Sequence, residues 1–272
     1  MKKALYIFFL PLVLLSACQQ SKPSENQKQA TVQFQNKGHE LIYGMVERTG
    51  SYQDLLDKKD VVYTYTYQTP DGKTDVSSEQ YIFDGELSMG TYLKHERTLP
   101  QLDGAFTQGY NGKEFWLKHQ EVYVKNEEFM KRVQFNRKTN FYWFAMFQKL
   151  LDPGLNYEHL GKKLIGTKTY DIVTITFNSE NGKPTDTYQV YINQETSLVD
   201  QFLFTVADFN MMETPLLMQV EYEEIDGLPI PSQRKYKRST WDAEVSDAPW
   251  VIVTWTDIKF NTGLKRSMFD KN

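Results

Sequence analysis

Two periods of apolar residues divide the chain. The segments VVYTYTYQ (61–68), EQYIFDG (79–85), LSMGTYLKH (87–95), KEFWLKH (113–119) and EVYVK (121–125) alternate apolar and polar positions. Alternation of this kind marks strands with one face toward a core and the other toward solvent. The same period returns in YDIVTITF, TYQVYIN, SLVDQFLFTV, LLMQVEYEEI, IPSQRKYKRS and WVIVTWTDIKF. Pro70-Asp71-Gly72-Lys73, Asn111-Gly112 and NSENGK (178–183) supply turn chemistry between runs. Such short connections predict antiparallel neighbours.

Two stretches follow a helical period instead. Between His39 and Leu56, Leu41, Ile42, Met45, Val46, Tyr52, Leu55 and Leu56 recur at spacings near three and four, despite Gly44 and Gly50, which predicts an amphipathic helix. Between Asn126 and Leu151, Asn126 suits an N-cap, Glu127 and Glu128 suit a first turn, and Asp152-Pro153-Gly154 is a stop. Trp143, Met146, Phe147 and Leu150 fall on one stripe, widened by Phe141, Tyr142 and Phe144. One or two unusually aromatic helices follow. About ten strands with two helical insertions predict a mainly β (α+β) domain built on one large, curved antiparallel sheet.

The first residues obey neither period. Lys2 and Lys3 precede an apolar run from Leu5 to Leu15, with the polar stretch QQSKPSENQKQ directly behind the chain's single cysteine, Cys18. That order is a secretory signal peptide, and the run falls short of the roughly 20 residues needed to span a bilayer. Leu15-Ser16-Ala17-Cys18 resembles the bacterial lipobox. The resemblance implies cleavage before Cys18, a diacylglycerol thioether on its sulfur and a further acyl chain such as palmitate on the new amine. A thiolate is the nucleophile such chemistry needs. The alternative is an ordinary signal peptide with a chance cysteine nearby. The expected organisation is residues 1–17 as signal peptide, 18–37 as a flexible tether and 38–272 as one β domain.

Without residues 1–17, 255 residues remain with no cysteine besides Cys18, so no disulfide can form within the domain. Its stability must come from packing, which a chain of this length can supply. Loss of Lys2 and Lys3 takes the net charge from −4 to −6. An acidic chain without basic clusters is unsuited to nucleic acid.

Three segments together carry a family resemblance: NFYWFAMFQKLLDPGL (140–155), YDIVTITFNSENGKPTDTYQVYINQETSLVDQFLF (170–204) and GLPIPSQRKYK (227–237). They resemble an uncharacterised family of bacterial lipoproteins, itself similar to the LolA/LolB lipoprotein carriers and receptors. The resemblance covers residues 38 to 269. It implies about eleven antiparallel strands curled into an unclosed barrel, with helices across the open face and an apolar space between. In the carriers that space accepts acyl chains.

No motif for catalysis accompanies this pattern. His39, His95, His119 and His159 stand far apart, without a second His or Cys at metal-ligand spacing. Gly161 to Lys168 has the glycine spacing of a phosphate loop but ends in Thr-Lys and lacks a following helix, so it reads as a turn between strands. The carboxylates Asp71, Asp75, Glu79 and Asp84, and later Glu221, Glu223 and Glu224, alternate with apolar residues as on a solvated strand face. No catalytic residue, metal or cofactor is predicted. The expected function is non-enzymatic: a lipid-anchored envelope protein, attached to the outer membrane because Gln19 rather than Asp follows Cys18, that binds an acyl chain, lipid or lipoprotein. Trp116, Phe141, Trp143, Phe144 and Phe147 are the candidate walls of its cavity. A filled interior would instead point to a scaffold binding a protein partner through the sheet surface, and an envelope hydrolase ranks last.

Overall fold

Gly50 breaks the first predicted helix in two. In the computed structural model, which describes residues 32–179 and 182–271, α1 is Lys37–Thr49 and α2 is Tyr52–Lys58. Gly50 takes φ 86°, in the left-handed region where a side chain is strained. An added Cβ would also lie 2.5 Å from Leu228. Ser51 then restarts the helix with a capping box, its hydroxyl accepting from the Asp54 amide while Asp54 accepts from Ser51 N–H. The compact unit begins at Phe34, whose ring packs on His39 and Tyr43. The signal segment and Cys18 lie outside the described residues.

After α2 come β1 Asp60–Gln68, β2 Thr74–Ile82, β3 Leu87–His95, β4 Phe106–Tyr110, β5 Phe115–His119 and β6 Val122–Tyr123. One long helix follows, α3 Glu127–Lys149, capped by Asn126, whose side chain accepts from Phe129 N–H. The chain then forms β7 Leu155–Ile165, β8 Lys168–Phe177, β9 Thr187–Asn193, β10 Val199–Val206, β11 Met211–Ile225, β12 Leu228–Arg238 and β13 Val251–Phe260. The sheet therefore has thirteen strands rather than ten or eleven. Those unforeseen are β4, a five-residue strand containing Gln108 and Gly109, and β7, an edge strand whose burial alternates but whose apolar residues do not follow it, Leu160 and Leu164 being exposed. The phosphate-loop-like glycines belong to β7, at a bulge beside Gly161, and to the tight turn at Gly166.

Every neighbouring pair is antiparallel, in the order β6-β5-β4-β3-β2-β1-β13-β12-β11-β10-β9-β8-β7. Two meanders meet at β1 and β13, and the consecutive strands β6 and β7 end up on opposite edges. α3 has to connect those edges. Thirteen strands laid flat would measure about 58 Å across, at about 4.8 Å per step, whereas a 23-residue helix is about 34 Å long. Yet Val133 near the start of α3 packs with Leu117 of β5, and Met146 and Phe147 near its end pack with Val173 and Ile175 of β8. The sheet is consequently curled around α3, which lies along its concave face. The LolA/LolB-like unclosed, curved sheet implied by the resemblance is present.

The convex face is covered too, in two places. The β12–β13 connection lays Trp241 and Trp250 over Tyr170, Ile172 and Leu203, and the C-terminal turn Arg266–Phe269 packs Phe269 on Ile82 and Leu87. The two faces thus account for most of the aromatic residues, a core large enough to replace disulfides.

A buried ion pair fastens α3 to the first meander. Arg137 donates to both oxygens of Glu79 on β2, Nη1 to Oε2 at 2.8 Å and Nη2 to Oε1 at 3.2 Å, and both side chains are fully buried. Ser77 and Tyr81 also donate to Glu79, at 2.7 and 2.9 Å. Because Tyr81 spends its one proton there, Tyr63 must donate to it across their 2.9 Å contact. Burial opposes the charge on Arg137, but the Glu79 carboxylate, with Tyr92 and Tyr81 beside it, holds the guanidinium above its ordinary value. Gly90 makes room: a Cβ there would stand 2.6 Å from both Arg137 and Glu79.

The expectation that the carboxylates of the first hairpin are solvated is therefore corrected for two of them. Glu79 is buried against Arg137, and Asp75, also fully buried, accepts from Thr98 Oγ1 at 2.7 Å and pairs with Arg97 at 3.4 Å. Their partners come from α3 and the β3–β4 connection, too far along the chain for any local pattern to reveal. Glu221, Glu223 and Glu224 are exposed. Arg137→Met strands the Glu79 charge, and the expected cost is about 3–5 kcal/mol, read as a fall in the urea unfolding midpoint. The double variant Glu79→Leu with Arg137→Met recovers most of it.

Candidate functional site

The trough along α3 is filled on one side and open on the other. Along the second half of the helix, Phe144, Ala145, Met146, Phe147 and Leu150 are all buried. Phe144 meets Tyr63 at 5.2 Å and Trp255 at 5.2 Å between ring centres, and Phe147 meets Phe202 at 5.8 Å. Side chains here interdigitate as in a close-packed core.

The first half of α3 leans toward β2–β5. Val133 packs among Tyr92, Phe106 and Leu117, and Arg137 is held by Glu79. Its other flank faces β9–β13 across a cavity of about 970 Å³. Phe135, Asn136, Thr139 and Trp143 form the helical wall. Tyr65 and Tyr67 of β1, Trp255 of β13 and Tyr236 of β12 form the floor, and Leu216, Met218 and Phe204 the far side. The volume lies within the range of small-molecule and lipid sites. A second hollow of about 610 Å³ adjoins the first, sharing Arg132, Phe135 and Phe209. At that junction Phe135 of α3 and Phe209 of the β10–β11 connection touch edge to face at 4.9 Å.

The tyrosines give the floor a polar tip on each apolar body. Tyr67 and Tyr236 share a short hydroxyl–hydroxyl hydrogen bond, while Arg97 lies 3.9 Å above the Tyr67 ring. The Tyr65 hydroxyl makes no hydrogen bond among the described residues. Burial pushes Tyr65 and Tyr236 well above the ordinary phenol value, so these hydroxyls stay protonated. Asp186 anchors the rim of the β10–β11 connection by accepting from Ala207 N–H at 2.7 Å, and burial raises its pKa.

Of the five expected wall residues, the structure brings two to the cavity. Trp143 faces it directly, its ring 5.0 Å from that of Phe204, and Phe141 lies at its inner margin, 5.4 Å from Tyr81. Phe144 and Phe147 belong to the packed side. Trp116 sits on the opposite face of the sheet, a correction with a clear geometric cause: Leu117 is the inward residue of β5, so its neighbour must point outward. There the Trp116 ring lies flat on Gly109, where a Cβ would come within 2.2 Å, and its indole N–H donates to the Phe269 carbonyl at 2.8 Å. The strand residues Tyr65, Tyr67, Arg234 and Tyr236 were not anticipated. Their signal was parity, because Tyr63, Tyr65 and Tyr67 share one face of β1, and Ile230, Arg234 and Tyr236 share one face of β12.

The histidines are dispersed into local contacts. His39 stacks on Tyr157 at 4.9 Å, His95 and His119 meet the carbonyls of Gly104 and Asp103, and His159 meets Asp171 at 2.9 Å.

With this geometry the chain is similar to solved bacterial structures. The chain shares its fold with two of them. A protein described as a putative outer membrane lipoprotein-sorting protein domain from Vibrio parahaemolyticus aligns over 87% of this chain and 97% of its own, at 11% identity and a TM-score of 0.50. A DUF1329 family protein from Desulfovibrio piger aligns over 86% and 95%, at 14% identity and a TM-score of 0.50. A LolA superfamily protein from Nitrosomonas europaea aligns over 82% and 98%, at 12% identity and a TM-score of 0.46. No protein-family model matches the sequence, and a comparison with curated proteins gives no match.

The two tryptophans separate packing from cavity. Trp116→Phe removes a buried hydrogen bond and is expected to cost about 1–3 kcal/mol. Trp143→Phe, at a half-buried ring whose indole nitrogen has no hydrogen bond among the described residues, costs less. Urea unfolding of the two variants gives the order.

Proposed function

We propose that this is a lipid-anchored protein of the bacterial envelope that holds an apolar ligand in the trough beside α3 and catalyses no reaction. The ligand class is an acyl chain, a lipid or the acyl portion of a lipoprotein. The observation that carries this reading is the aromatic-walled cavity of about 970 Å³ lying against a fully packed core. A chain that can fill one side of its trough with interlocked rings leaves the other side open. Burial of hydrocarbon there would contribute about 25 cal/mol per Å² removed from water, with no need for a reactive group. The fold shared with a domain named for lipoprotein sorting agrees with this ligand class.

Anchoring rests on Cys18. Cys18→Ser removes the acceptor for the diacylglycerol thioether, and the expected result is a shift of the protein from the membrane and detergent phase to the aqueous phase. Wild type and variant distributing alike would overturn the anchor.

Uptake is tested on the Cys18→Ser chain stripped of bound lipid on a hydrophobic resin. The expected outcome is saturable binding of a fluorescent fatty acid, one per chain, competed by unlabelled acyl chains and weakened several-fold by Trp143→Ala. Absence of both co-purified lipid and probe uptake would favour the scaffold reading, in which partners meet the outside of the sheet.

A further inference from the structure

Two arginines are buried along the trough, and only one has a carboxylate. Arg137 is neutralised by Glu79. Arg234, 5% exposed on β12, is not paired with any acid among the described residues. Its Nε donates to the Pro231 carbonyl at 3.0 Å and its Nη2 to the Trp143 carbonyl at 2.8 Å, which leaves Nη1 without a hydrogen-bond partner among the described residues. The guanidinium plane rests 3.9 Å from the centre of the Trp255 ring. Burial pulls its pKa down to about 10, still far enough above neutral for it to carry its charge. A buried cation is costly unless paired and fully hydrogen-bonded. Two carbonyls and one aromatic face only partly meet that demand.

The residue that carries the unfilled position borders the cavity. Arg234 and Tyr65 both line it. Tyr65 is the register partner of Trp255 across β1 and β13, so the phenol stands on one side of the indole on which the guanidinium lies. Its hydroxyl also lacks a partner among the described residues. A guanidinium N–H and a phenolic O–H, both unspent, therefore border one site whose other walls include Trp143, Phe204 and Met218. Neutral hydrocarbon would leave both donors unsatisfied. An anionic oxygen would satisfy both with charge-assisted hydrogen bonds.

We propose that Arg234, assisted by Tyr65, seats the anionic head group of a single-chain amphiphile, which enters head first and lays its tail along Trp143 and Phe204 toward the Phe135–Phe209 contact. This rests on the reading of the cavity as an apolar-ligand site and narrows it to acids. Carboxylate and phosphate heads share the required chemistry.

The test compares cis-parinaric acid with its methyl ester on the lipid-stripped Cys18→Ser chain. The acid is expected to bind at least tenfold more tightly than the ester. Arg234→Met should lose at least tenfold on the acid and close the gap to the ester, and Tyr65→Phe should narrow it several-fold. Because Arg234 also clasps the Trp143 carbonyl, its replacement can unfold the protein, in which case the acid–ester comparison and Tyr65→Phe still decide. Displacement of the probe by palmitate or by hexadecyl phosphate, whichever is stronger, naming the head group, supports the proposal when hexadecanol fails to displace it. Equal binding of acid and ester, or equal displacement by hexadecanol, overturns the anion seat while leaving the apolar cavity standing. Binding of neither acid nor ester removes both.

Discussion

The Glu79–Arg137 ion pair determines where α3 can lie. Its members come from β2 and from the middle of α3, both fully buried, and neither could be left there alone without a penalty of several kcal/mol. The pair is satisfied only if the helix stands against β2 and β3, close enough that Gly90 must be a glycine. Ser77, Tyr81 and Tyr63 complete the network, so its geometry is set from two strands as well as from the helix. A purely apolar contact would tolerate sliding by a fraction of a turn. A bidentate pair does not.

The consequence is asymmetry across the trough. With its first half drawn to β2–β5, α3 cannot also cover β9–β13, and the space beside it remains open. Its second half is not under that constraint. There Phe144, Met146 and Phe147 settle between both meanders and close the core. The cavity is thus the residue of an electrostatic choice made on the other side of the helix. Its walls include stiff aromatic rings already held by their neighbours, so a ligand along them would find that part of the space formed and would have little ordering left to impose.

Much of the architecture was legible because period and turn chemistry are local. The strands from Tyr170 to Phe260 follow alternation, and Asn126 with Glu127 and Glu128 announces α3. What failed were positions where the inward face of a strand is polar. On β2 the inward set is Asp75, Ser77, Glu79 and Tyr81, and the outward set includes Val76 and Ile82, so reading polarity as exposure inverts the strand. Only the partners Arg97 and Arg137 reverse that, and they lie 22 and 58 residues away in sequence. Trp116 failed for the related reason that the convex face is covered as well, by a segment more than 150 residues further on. Aromatic content alone cannot tell which of two buried faces a ring occupies.

The same argument separates the two buried arginines. Arg234 lies in IPSQRKYKRS, a run whose Lys and Arg residues suggest a solvated strand, but its parity with Ile230 and Tyr236 turns it inward. Natural cores rarely retain a charge without its complement. The trough supplies that complement once, for Arg137, and the helix is fixed by it. For Arg234 the protein supplies carbonyls and an indole face, enough to hold the side chain in place and too little to neutralise it. One arginine is therefore spent on building the cavity, and the other keeps its unmet demand pointed into it.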